Sequence, residues 1–161
     1  CGKHLARAVA DGTDRLAREK MAYAAMLGGL AFSNAGVALV HGMEYAVASE
    51  VHVSHGAGNG LLVPHVMRYN LEAREERFAE IARLLGADTT GMPTRKAAEL
   101  AVELVAGLSR QIGIPQRLRD LGMTREQLPV VAERARIERL FRTNPRRPRE
   151  GEVLRILEEA W

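Results

Sequence analysis

Apolar positions recur along this chain at three- and four-residue spacing almost from end to end, and nowhere do they alternate over the length of a strand. The pattern predicts helices throughout. A first long helix is expected from an N-cap near Thr13, with Leu16, Met21, Ala24, Ala25, Leu27 and Gly28 forming a broad apolar stripe and "SNAG", Ser33 to Gly36, ending it. The next run, Val37 to about Val51, carries almost no charge except Glu44 and Glu50, which predicts a helix buried on most sides. A turn of small residues at Ser54 to Gly60 should follow. "LLVPHVMRYNLEA" then resumes as a helix, with Pro64 in the first turn, where a missing N–H costs least.

Further on, "EERFAEIARLLG" sets Phe78, Ile81, Ala82 and Leu85 at helical spacing, with Gly86 as the stop. "TRKAAELAVELVAGLSRQIG" should run from an N-cap at Thr94 to Gly113. "TREQLPVVAERARIERLF" should start at Thr124, with Gln127 completing a capping box. "RTNPRRPRE" reads as a basic, proline-broken connection with a solvated character, and "EGEVLRILEEAW" as a short amphipathic helix. There is no repeat, low-complexity tract or composition shift, so the expectation is one all-α domain over residues 1–161, a multi-helix bundle.

Composition narrows the function classes. With 161 residues, 47% of them hydrophobic, the chain can build a substantial core without disulfides or a metal. A net charge of +3 is small beside 23 basic and 20 acidic residues, which argues against nucleic acid as a partner. The single cysteine, Cys1, excludes an internal disulfide and fits a reducing, cytoplasmic setting. The most apolar run, Met21 to Phe32, is about half of the roughly 20 residues a membrane span requires, so no membrane association is expected. The chain opens without Met, in "CGKHLARAVADG", which reads as the end of a helix and suggests a piece of a longer protein.

The candidate chemistry lies in "LVHGMEYAVASEVHVSHGAGNG", Leu39 to Gly60, which holds three of the 5 histidines. His41 and His55 sit among alanine, valine and glycine, and the small-residue turn could bring both imidazoles to one point. Imidazole is the commonest transition-metal ligand near neutral pH. On the residues alone, however, a hydrogen-bonded core role for the two histidines outweighs a ligand role. His41-x-x-Glu44 shares a helical face and could supply two ligands or a ligand and a base, although such pairs arise by chance in many helices. His4 and His65 look like surface or boundary residues. "HGAGNG" is not preceded by a strand, so a nucleotide-binding glycine loop is disfavoured.

A resemblance changes these odds. The "AFSNAG" turn, the "LVHGM" helix, the "SHGAGNG" turn and "LLVPHVMRYN", in that order and spacing, closely resemble the iron-containing (group III) alcohol dehydrogenase family. "RFAEIARLLG", "IGIPQRLRDLGM" and "TNPRRP" extend the resemblance over essentially the whole chain. It implies the helical C-terminal half of a metal-dependent enzyme that transfers a hydride between an alcohol and NAD(P). An N-terminal α/β half, outside this sequence, would bind most of the dinucleotide. Fe2+ or Zn2+ is the implied metal, with His41 and His55 as two of its ligands. The remaining two, an Asp and a His four residues later, have no counterpart here.

The resemblance further implies that Tyr45 stands where many relatives carry a second helical His, close to nicotinamide and substrate. Phe32 matches a position that lines the substrate pocket, and His52 matches a non-ligand position. A small alcohol or aldehyde substrate and a homodimer or larger assembly complete the implied picture. The competing expectation is a non-catalytic helical scaffold or dimerisation module derived from that family.

Overall fold

Leu85 ends a helix with an αR residue, and Gly86 reverses the chain after it. This is the point the sequence marks for a stop. Gly86 takes φ 99°, its N–H bonds to the Arg83 carbonyl and the Ala87 N–H to the Ala82 carbonyl, a Schellman closure that a side chain at position 86 would strain. In the computed structural model, which describes residues 1–161, nine helices follow in order. They are α1 (Leu5–Ala10), α2 (Arg15–Ala35), α3 (Leu39–Ala48), α4 (His55–Asn70), α5 (Glu75–Leu84), α6 (Thr94–Gln111), α7 (Leu128–Arg134), α8 (Glu138–Thr143) and α9 (Glu152–Ala160). Three short 3-10 turns join them and no strand forms, in agreement with the all-α expectation. No single helix is long and apolar enough to cross a membrane.

The chain divides into two compact units, one of residues 1–36 and 74–113, the other of residues 37–73 and 114–161. In the first unit α5 packs on α6. Phe78 and Ala82 are buried in α5, and Ala97, Ala98, Ala101 and Val102 in α6. The alanines let the two backbones approach closely. The N-cap of α2 is Asp14, one residue beyond the expected Thr13; its carboxylate accepts the Ala17 N–H at 3.0 Å and pairs with Arg7 at 2.6 Å. The apolar stripe of α2 is not a buried face. Ala17 is its buried residue, whereas Leu16, Tyr23, Met26, Leu27, Leu30 and Phe32 are exposed.

The second unit holds the larger core. Leu39, Met43 and Val47 of α3 meet Leu61, Leu62 and Val66 of α4, with Leu128 and Val131 of α7 and Val153, Ile156 and Leu157 of α9 closing around them. Three local expectations change here. The glycine-rich stretch is no turn: α4 begins at His55 and includes every glycine of "HGAGNG", so Pro64 lies mid-helix. Each such Gly costs about 1 kcal/mol relative to Ala, which the burial of Leu61, Leu62 and Val66 outweighs. Two of those glycines also sit where neighbours come close. A Cβ at Gly60 would lie 3.3 Å from Ile114 Cγ2, and one at Gly58 would collide with Glu44.

The helix expected from Thr124 is three pieces. The Thr124–Gln127 capping box forms, but it caps a 3-10 turn at Arg125–Gln127 that leads into α7. The chain then breaks at Ala135–Ile137 and restarts as α8, a break that turns Leu140 and Phe141 into the core. The third change is the "RTNPRRPRE" connection, which is not simply solvated. Asn144 is buried and exchanges amide hydrogen bonds with Asn70 at 2.7 and 3.1 Å, while Arg146 reaches Glu152 at 2.6 Å.

Candidate metal centre

Helix α3 carries His41 and Tyr45 one turn apart on a face away from its apolar stripe, while Leu39, Met43 and Val47 anchor the opposite side in the core. Helix α4 begins with His55, so its imidazole leaves the first turn of a helix directly opposite α3. Three rings gather there. The His41 and His55 centroids stand 5.3 Å apart with a 56° tilt, Tyr45 stacks on His55 at 5.8 Å and 15°, and His41 meets Tyr45 edge-on at 6.1 Å.

Beneath the rings lies Glu44. Its side chain is 1% exposed, and its Oε2 is 2.6 Å from Nδ1 of His55, whose own side chain is 57% exposed. A carboxylate only accepts, so Nδ1 of His55 carries the proton in this bond, and the neutral tautomer compatible with it is the Nδ1–H form. Its Nε2 is then left with a free lone pair. Asn59, one turn into α4, donates to the His55 carbonyl at 2.9 Å and brings the same amide nitrogen to 3.3 Å from Nδ1 and 3.2 Å from Nε2. A point equidistant from both ring nitrogens lies above the ring, since in the ring plane it would collide with carbon. Asn59 therefore covers the face of His55 and occupies neither lone-pair direction.

The packing that seats Glu44 is specific. A Cβ at position 58 would approach Glu44 Cγ to 2.9 Å and Oε1 to 3.2 Å, so glycine is what allows the carboxylate to pass. His41 is held below the usual imidazole range, first by burial, then by the neighbouring His55, with Glu44 opposing both. It is therefore neutral and able to donate a lone pair at physiological pH.

Do these groups suit a divalent transition metal? Two imidazoles sharing one tetrahedral ion at about 2.1 Å would stand with their centroids roughly 5 Å apart, and these stand 5.3 Å apart. That spacing is also ordinary for aromatic contacts, so the donor chemistry decides: one imidazole kept neutral by its surroundings, the other with Nδ1 engaged and Nε2 free. The pair fits as two ligands of a metal. It does not make a complete set, because no three His, Cys, Asp or Glu side chains of this chain converge as a metal site.

His52 is exposed, and Phe32 is exposed near the end of α2. His65, part-buried on α4, is held below the usual range by burial and by Arg117 and Arg68. Periodicity suggested Glu44 as a partner for His41, three residues away; the structure gives its hydrogen bond to His55, eleven residues away. A contact of that kind leaves no periodic trace. The one local signal was a glycine at a helical position, Gly58.

Comparison with known proteins identifies the family. The model of the Fe-containing alcohol dehydrogenase family, C-terminal, matches residues 1–161. The 1,3-propanediol dehydrogenase of Citrobacter freundii is 45% identical over 159 residues, 99% of this chain and 41% of its own length. The NAD-dependent methanol dehydrogenase of Bacillus methanolicus is 37% identical over 158 residues, 98% of this chain and 42% of its own. A crystal structure of 1,3-propanediol oxidoreductase superposes with a TM-score of 0.95 at 44% identity, covering 99% of this chain and 42% of that one. The chain thus spans about two-fifths of the length of these relatives. It belongs to the iron-containing alcohol dehydrogenase family and comprises that family's C-terminal, all-helical domain.

Proposed function

We propose that this chain is the metal-holding half of an NAD(P)-linked alcohol dehydrogenase, with His41 and His55 as two ligands of an Fe2+ or Zn2+ ion. The observation that carries the reading is the convergence of the two imidazoles at 5.3 Å, with Glu44 engaging Nδ1 of one of them. When bound, the metal supplies Lewis-acid polarisation of the substrate oxygen. The chain's own groups do the rest of their share by placement. His41 and His55 donate lone pairs, and Tyr45, stacked on His55 and 46% exposed, forms a wall against which a small substrate or the nicotinamide can rest. Phe32, exposed on α2, is assigned to the substrate pocket on the family resemblance.

The substrate class is a small alcohol or its aldehyde, in keeping with relatives named for 1,3-propanediol and methanol. NAD(P) and the remaining ligands would come from the rest of a longer protein. The apolar residues that α2 leaves exposed support a larger assembly in which that face is covered. Accordingly the 161-residue chain alone should show no alcohol oxidation. In the whole protein, His41→Ala and His55→Ala should each remove metal and activity together, and His65→Ala should spare both. Metal analysis paired with an NAD(P)-linked alcohol assay tests this. Full activity and full metal content in either of the first two variants would refute it.

A further inference from the structure

We infer that Glu44 is a positioning residue for His55: it fixes the imidazole as the Nδ1–H tautomer and so presents Nε2 as the lone pair offered to the metal. The inference rests on the proposed metal site and deepens it. Three observations meet here. The carboxylate is buried, its Oε2 lies 2.6 Å from Nδ1, and the imidazole it holds is more than half exposed. Burying a carboxylate is unfavourable unless it is hydrogen-bonded. A buried acid directed at an open imidazole does little for folding that an apolar residue could not do better.

Two further features bear on the same point. Free neutral histidine favours the opposite, Nε2–H form, so without Glu44 the outward nitrogen of His55 would mostly carry a proton and be unable to coordinate. Gly58 clears the path of the carboxylate, since a Cβ there would meet Glu44 Cγ at 2.9 Å. Asn59 adds a second restraint by covering the ring face without blocking either nitrogen. Carboxylate partners of ligating histidines set both ring orientation and basicity, and removing one typically costs about 10–100-fold in metal affinity.

The test is a long-range proton–nitrogen correlation spectrum of the histidine rings in the 161-residue chain, recorded without metal at a pH where the imidazoles are neutral. The wild-type chain should show His55 as the Nδ1–H tautomer. Glu44→Gln, whose amide oxygen still accepts, should keep that form, and Glu44→Leu should convert His55 to mainly Nε2–H. An Nε2–H ring in the wild-type chain would overturn the inference, and so would a Glu44→Leu chain with an unchanged tautomer.

A zinc titration of the same samples separates this from the reading beneath it. If His55 has the stated tautomer and zinc shifts the His41 and His55 nitrogens, with affinity falling about 10–100-fold in Glu44→Leu and largely retained in Glu44→Gln, both stand. If the tautomer is as stated and the metal-loaded whole protein leaves either His41 or His55 uncoordinated, Glu44 still orients His55 and the metal assignment fails.

Discussion

Two glutamates are buried in the same unit, and their surroundings could hardly differ more. Glu152, 5% exposed, opens α9 and is saturated: the Tyr69 hydroxyl donates to it at 2.7 Å, the Arg149 N–H at 2.8 Å and the Arg146 guanidinium at 2.6 Å, with Arg155 at 3.5 Å. The helix N-terminus favours the negative charge as well. Glu44, 1% exposed, instead directs its carboxylate at an imidazole open to solvent. A buried charge surrounded by donors from several segments ties those segments together. One aimed at a single open ring with a free nitrogen prepares that ring to bind something. Burial alone does not distinguish structure from function here; the accessibility of the partner does.

The contrast makes a graded set of expectations for urea unfolding. The largest effect belongs to Glu152→Ala, which leaves Tyr69 and Arg146 with unmatched donors. A loss of about 3 kcal/mol is expected, since hydrogen bonds to a charged group contribute about 1.5–3 kcal/mol each and several are lost together. Asn144→Ala strands the amide of Asn70 and should cost about 1–3 kcal/mol. Glu44→Leu, by contrast, should change stability by no more than about 1 kcal/mol, because replacing a buried acid with an apolar residue of similar size is often neutral or stabilising. Equal losses for Glu152→Ala and Glu44→Leu would erase the distinction.

Gly58→Ala sharpens it further. Alanine should gain up to about 1 kcal/mol of helix propensity, while the new Cβ displaces Glu44. Near-neutral stability with a weakened Glu44–His55 hydrogen bond is therefore expected, read from the downfield Nδ1 proton of His55.

The smallest effect is on pH. His41 and His65 both titrate below the ordinary value of 6.5 in the folded chain, in each case mainly because of burial. The unfolded chain therefore binds more protons once the pH drops below about 6.5, and stability should decline as pH falls through and below that value. His65→Gln should flatten part of this slope. At lower pH a second loss should follow from Glu152. Burial opposes its ionisation, but the Arg149 amide, the Tyr69 hydroxyl and Arg146 outweigh burial and hold the carboxyl below the ordinary 4.5. The stability it adds is present above 4.5 and disappears on further acidification. Tyr69, pushed up to about 12 by burial and by its bond to Glu152, stays a donor throughout.

Local chemistry made much of the helical layout readable. Gly36, Gly86 and Gly113 end α2, α5 and α6 where the sequence places them, because a positive φ is a property of one residue. What local chemistry could not show was long-range. Glu44 and Ile114 pack against glycines of α4 that otherwise signal a turn. The Asn70–Asn144 exchange and the Glu152 cluster join positions 74 and 83 residues apart. The exposed face of α2 has the apolar spacing of a core helix, and spacing does not say what covers it. At the candidate centre, His41, His55 and Tyr45 were legible through motif resemblance. The Glu44–His55 bond was not, since each residue alone is unremarkable in its segment.

The most direct test of the central claim is anomalous diffraction at the metal absorption edge from crystals of the whole protein loaded with iron or zinc. One strong peak is expected at coordination distance, about 2.0–2.1 Å, from a ring nitrogen of both His41 and His55. A fully occupied metal elsewhere, with either imidazole uncoordinated, would contradict it.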